Sequence, residues 1–275
     1  MDEDKKIVRT GIIVIFILVV AIAAYYFFVA GRGKAPRPGE PSHRPEKVAG
    51  ETTTGKEGSE PAPLLVELDK SDDPVRGLVA DLSANPTLSQ WLKTKDLVRK
   101  FVAAVDNIAN GQSPRPQMDF FMLPGDFIVI KKNGQTFLDP SSYERYNLIA
   151  DVLDSFGTAG CARVYGSLKP LCQQAYRDLG YPKEDFHRTL FRAIIEILGT
   201  PVVDDPIALE KTVTTYAMLD PKLEELSPAQ KHLLRMGPEN LQLIQAKLRE
   251  VALALGFSED QLPKARPYTP GRRNF

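Results

Sequence analysis

The chain of 275 residues is poor in the residues that usually announce a chemistry. It has two cysteines, three histidines and one tryptophan, and its formal charges cancel. Two cysteines are too few for the disulfide framework of a small secreted domain. Cys161 and Cys172 fall on one predicted helical stretch, where eleven residues at about 1.5 Å each separate them by roughly 16 Å. A bridge tolerates about 7 Å between Cα atoms. Even with a break at Pro170, two buried free thiols are expected. His43, His187 and His232 have no spaced partner of the H-E-x-x-H or C-x-x-C kind. No metal site or cofactor is therefore expected, and each histidine reads as a surface or capping residue.

Catalytic signatures are missing as well. There is no G-x-x-x-x-G-K-[ST] or G-x-G-x-x-G phosphate loop and no G-x-S-x-G nucleophile elbow. The carboxylate pairs Asp204-Asp205 and Glu224-Glu225 fall in a turn and at a helix end, where such pairs are usually solvated. The chain also lacks an excess of positive charge. Residues 1–10 carry three basic and three acidic residues, 31–63 six and five, and 257–275 four and two. That leaves 22 basic against 25 acidic in 64–256, without the basic footprint that nucleic-acid binding needs.

What is present begins at the N-terminus. After a tail, 1–10, residues 11–30 read GIIVIFILVVAIAAYYFFVA, an uncharged apolar run. A bilayer core takes about 20 such residues as one helix. Tyr25, Tyr26, Phe27 and Phe28 cluster at one end, as interfacial aromatics do. The rival is a cleaved signal with a small-residue site at Ala21 and Ala23, but the apolar run continues past Ala23. The expected partner of 11–30 is thus the lipid bilayer. A strict count of basic flanks puts the C-terminal side in the cytoplasm. Long domains, however, translocate largely regardless of charge, and the short tail favours a body outside it.

Residues 31–63 are rich in Pro, Gly, Glu, Lys and Thr and cannot bury enough surface to fold. They read as a flexible tether reaching roughly 30 Å. The body is expected over 64–256, with a polar, disordered tail over 257–275.

Within the body, Asp72-Asp73-Pro74 opens a helix carrying Val75, Val79 and Leu82. Asn85-Pro86-Thr87 interrupts it. Leu88, Trp91 and Leu92, then Leu97, Phe101, Val102, Val105 and Ile108, continue at helical spacing. Residues 109–124 form a long loop. The period then changes: FIVIKK, Asn133-Gly134 and QTFL predict a β-hairpin with a type I′ turn. Further helices are expected over 143–156, 161–179, 185–198, 221–226, 228–236 and 239–255. Residues 207–219 are ambiguous between strand and helix. The expectation is a mainly α, multi-helix domain with a small β-hairpin, preceded by one transmembrane helix.

The richest constellation is polar and aromatic. Tyr143, Tyr146, Gln173, Gln174, Tyr176, Arg177 and Tyr181 crowd two successive helices, and Arg235, Glu239 and Asn240 mark a later helix corner. Such residues either bury rings in a helical core with the hydroxyls satisfied, or line a groove for a peptide, glycan or small polar ligand.

Four stretches carry a resemblance: Leu97 to Asn107; Leu138-Asp139-Pro140 with Tyr143 and Tyr146; Pro170, Gln173 to Tyr176 and Leu179 to Pro182; and Leu234 to Asn240. Over about 64–255 the chain resembles a bacterial family catalogued as domain of unknown function 3014. The resemblance implies an N-terminal anchor, a variable linker and a place in the cell envelope. It supplies no catalytic residue. The expected function is a non-enzymatic interaction module at the inner membrane, its body periplasmic, binding an envelope protein or cell-wall component. The alternative is a ligand-binding or enzymatic domain using the Tyr/Arg/Gln groove.

Overall fold

Proline behind a short polar cap starts three of the helices, and the caps satisfy backbone donors that a helix start leaves open. In the computed structural model, which describes residues 61–114, 116, 123, 125–213 and 215–270, α1 spans Asp72–Ala80. Asn85 accepts from the Thr87 N–H at 3.0 Å to start α2, Pro86–Trp91. The helical spacing running on from Leu88 is then broken, because Asp96 adopts φ 59° before α3, Leu97–Ala109. The N-terminal cap of α3 comes from another helix: the Asp72 carboxylate accepts from Asp96 N–H at 2.8 Å and Leu97 N–H at 2.9 Å.

Strands β1, Val129–Lys132, and β2, Gln135–Leu138, form the expected hairpin, with Asn133 and Gly134 both at positive φ as a type I′ turn demands. Two short 3-10 turns, Pro140–Ser142 and Glu144–Tyr146, lead into α4, Asn147–Asp154. Helix α5, Thr158–Asp178, starts before the predicted Cys161 and contains Pro170. α6 spans Phe186–Leu198, capped by Asp185.

Residues 207–219 resolve as strands β3, Ala208–Lys211, and β4, Tyr216–Met218. A small hairpin is thereby corrected to a four-stranded antiparallel sheet of order β1-β2-β3-β4. The reason is mutual support, since a lone two-stranded hairpin is marginal in water. Helix α7, Pro221–Glu224, α8, Pro228–Leu234, with a Ser227–Gln230 capping box, and α9, Pro238–Ala254, complete the body.

The core is helical. α3 packs on α5 and α6, and α9 packs on α4, α5 and α6. At its centre Phe186 meets Phe101 edge-on at 5.7 Å and Tyr176 at 5.4 Å between ring centroids. Cys161 and Cys172 are free and buried on α5. Burial pushes the Cys161 thiol up to about 12 and the Cys172 thiol up as well, as suits inert apolar fillers.

Two edges of the body differ from the sequence expectation. At the start, Pro61 packs on Gly166, where a Cβ would stand 2.5 Å from the Pro61 ring. Pro170 brings no N–H to the α5 ladder. Nearby, the Leu64 N–H donates to the Ser167 carbonyl at 2.8 Å. At the other end, the residues assigned to a disordered tail continue the fold as far as Tyr268. Phe257 and Leu262 are 5% and 4% exposed. Val202 N–H donates to Arg266 at 3.0 Å and Tyr268 N–H to Val202 at 2.8 Å, a parallel bridge. The polar composition of this tail hides two anchoring side chains. The segments 1–10, 11–30 and all of 31–63 but its last three residues lie outside the described residues. Among the described residues no helix is long and apolar enough to cross a membrane.

Candidate functional site

The ten polar and aromatic candidates divide among three places. The first is a corner between the 3-10 turns and α9. Asn240 Nδ2 donates to the Tyr143 carbonyl at 3.1 Å, Asn147 Oδ1 at 3.0 Å and the Met236 carbonyl at 2.9 Å. Gly237 lies against the Tyr143 ring, and burial pushes the Tyr143 phenol up to about 12. Tyr146 is buried beneath the buried Arg145, whose guanidinium carbon sits 5.9 Å from the ring centroid. Burial lowers the Arg235 pKa, opposed by Tyr146 and Glu224. Glu239 stays exposed in the first turn of α9, where a carboxylate suits the helix dipole. Asn240 ties the elements of this corner together, and Glu239 stands outside that network.

The second place is the seam of α3, α5 and α6. Gln173 closes the connection between α5 and α6, donating to Glu184 O at 2.8 Å and accepting from Phe186 N–H at 3.0 Å. Tyr176 and Tyr181 stack at 4.5 Å. The Tyr181 hydroxyl donates to Asp106 Oδ2 at 3.2 Å, and Tyr176 Oη sits 2.9 Å from Thr189 Oγ1. Asn110 Nδ2 donates to Asp106 Oδ1 at 3.2 Å.

Asp106 is the residue that sequence reasoning missed. Only 8% exposed, it is a carboxylate placed inside the apolar run of α3. That misplacement, one charge among Val102, Val105 and Ile108, was the available signal. Burial raises its pKa, and hydrogen bonds from Tyr181 and Asn110 partly offset this. A raised folded-state pKa means the native state holds the proton more tightly than the unfolded chain. Its contribution to stability is then full below the unfolded value and is lost as pH rises through the folded one. Asp106→Asn removes this titration. The stability difference between variant and parent, from urea melts across pH 3 to 7, is expected to shift in favour of the variant as pH rises. A difference that stays flat would refute the assignment.

In the third place Gln174 and Arg177 are exposed on α5. Gln174 rims an open groove of about 710 Å³ with Leu64, Leu68, Arg99, Pro170 and Asp178. Arg99 is held across its rim by Asp69 at 2.5 Å. None of the other nine candidates lines this groove.

Among the described residues no group of three or more His, Cys, Asp or Glu side chains is placed to hold a metal. The two histidines of the body are interior residues rather than surface ones. His232 is buried with Nδ1 3.3 Å from Ser113 Oγ. His187 stacks on Phe257 at 5.3 Å, and burial lowers its pKa to about 4.

Fold and site together define a mainly helical domain with a small antiparallel sheet, whose polar clusters tie its elements together. The profile of DUF3014, a family of proteins of unknown function, matches residues 97–252, more than half of the chain. The chain belongs to that family, and the four stretches of resemblance all fall within the match. No curated protein and no solved structure is matched by the chain.

Proposed function

We propose that this protein is a non-enzymatic interaction module held at the bacterial inner membrane by residues 11–30 and a tether, with its body in the periplasm. The observation that carries the reading is how the polar-aromatic set is used. Tyr176, Tyr181, Gln173 and Asn240 spend their hydrogen-bonding groups on internal partners. Gln174 rims the groove beside Pro170, and the hydrogen-bonded members of the set do not line that groove. The length of the apolar run and the unfoldable composition of 31–60 support the anchor.

The test uses the whole chain in cells. Alkaline carbonate extraction is expected to leave it in the membrane pellet, and protease added to spheroplasts is expected to digest the body. Release by carbonate would remove the anchor, and protection from protease would reverse the topology. Photo-crosslinking from exposed positions such as Gln174 and Arg177 is expected to give discrete adducts with an envelope protein or cell-wall glycan. No adduct from any exposed face would overturn the interaction reading.

A further inference from the structure

The two hairpins of the sheet end on the same side. Lys132 pairs with Gln135 at the β1–β2 turn, Thr136 with Leu209 between the hairpins, and Lys211 with Tyr216 at the β3–β4 turn. Both tips therefore project from one sheet end. The four strands carry three lysines, Lys131, Lys132 and Lys211, against one carboxylate, Glu210. All three lysines are exposed. Val213, 100% exposed, stands on the β3–β4 turn two residues beyond Lys211. It is presented by a hydrogen-bonded turn: Thr212 N–H donates to Thr215 O at 2.8 Å, and Thr215 N–H to Thr212 Oγ1 at 3.1 Å. Behind the tip the sheet face opposite Leu138 and Leu209 is apolar. Ile130, Phe137 and Ala208 lie in register across it, half-buried, and Ile128 is 46% exposed.

We infer that this sheet end is a second membrane contact, which docks the body on the surface of a bilayer containing anionic phospholipid. Lysines at one sheet end draw anionic headgroups, and an apolar side chain projecting from the neighbouring turn enters the headgroup boundary. The proposal rests on the anchored reading, in which a tether of roughly 30 Å keeps the body near the bilayer. It adds an orientation: the body lies with both hairpin tips on the lipid instead of hanging free.

The experiment uses the full chain reconstituted in vesicles of phosphatidylcholine alone, or with phosphatidylglycerol. Cys161 and Cys172 are buried, so a fluorophore can be placed at V213C, and in a second protein at V20C. Quenching by brominated lipid reports contact. V213C is expected to be quenched in the anionic vesicles and weakly in the neutral ones. Quenching should fall by about ten-fold or more with K131E/K132E/K211E and at high salt, since each lysine near the surface contributes several-fold. If V20C is quenched and V213C is not, the anchor stands and the sheet contact is wrong. Equal quenching of V213C in both lipids overturns the role of the lysines. A fluorescence shift at V213C without lipid quenching means that protein, not lipid, covers the tip. If neither position is quenched, the anchored reading fails and takes this proposal with it.

Discussion

Gly237→Val is expected to destabilise the body by about 4 kcal/mol, half from backbone strain and half from overpacking. Gly237 has φ 87° and ψ 159°, an extended positive-φ conformation that is essentially reserved for glycine. It is not the left-handed helix-ending form that its place after α8 suggests. It serves instead as the residue before α9, turning the chain so that Pro238 can start the helix. A Cβ here would meet Tyr143 Cγ at 2.5 Å and Cβ at 2.8 Å. The Tyr143 ring cannot retreat freely, because Asn240 holds its backbone carbonyl. Urea melts of the parent and variant check the figure, and an unchanged midpoint would refute it. A double-mutant cycle separates the two causes. Tyr143→Ala should recover the packing part of a Gly237→Ala loss and leave the backbone part.

Ending the chain after Gly256 is expected to cost about 5 kcal/mol, from exposing the pockets of Phe257 and Leu262 at about 2–3 kcal/mol each. The loss extends beyond these two side chains. Phe257 stacks on Phe191 at 4.4 Å and on His187 at 5.3 Å. The Arg249 guanidinium holds Glu259 at 2.6 Å and the Pro263 carbonyl. Tyr268 donates from its hydroxyl to Asp220 at 2.9 Å. A titration distinguishes this docking from a general loss of structure. In the whole chain His187 stays neutral down to about 4. With Phe257 removed, by truncation or by Phe257→Ala, its imidazole should return toward the ordinary value of about 6.5. Proton NMR of the His187 ring reads this directly. A ring that still titrates near its depressed value after truncation would show that the C-terminal segment does not cover it.

How much of the fold was legible depended on whether a segment decides its own conformation. Asn133-Gly134 between alternating strands needs nothing from elsewhere, and the hairpin stands where it was read. The helix expected over 228–236 is equally local, and Ser227 and Gln230 close a capping box at its start. Residues 207–219 were ambiguous because their β-branched content and their helical apolar spacing point in opposite directions. The free edge of β2 settled the matter by offering Ala208 and Leu209 a partner strand. The break at Asp96 was invisible for a similar reason, since its cap is Asp72, 24 residues away. The site followed the same rule. That Tyr176 and Tyr181 matter was readable from their clustering. That they close on Asp106 was not, because Asp106 belongs to a different helix.

The sequence by itself determined the helical class, the Asn-Gly hairpin, the inertness of the two thiols and the family resemblance. Each of these rests on local spacing or on chemistry confined to a few neighbouring residues. The tertiary structure alone decided that the sheet has four strands, that the segment through Tyr268 belongs to the fold, and that the candidate groove divides into two internal polar clusters and an outer rim. Those outcomes depend on which surfaces meet. A hydrogen bond between residues 70 positions apart, such as Tyr176 to Asp106, leaves no periodic trace along the chain.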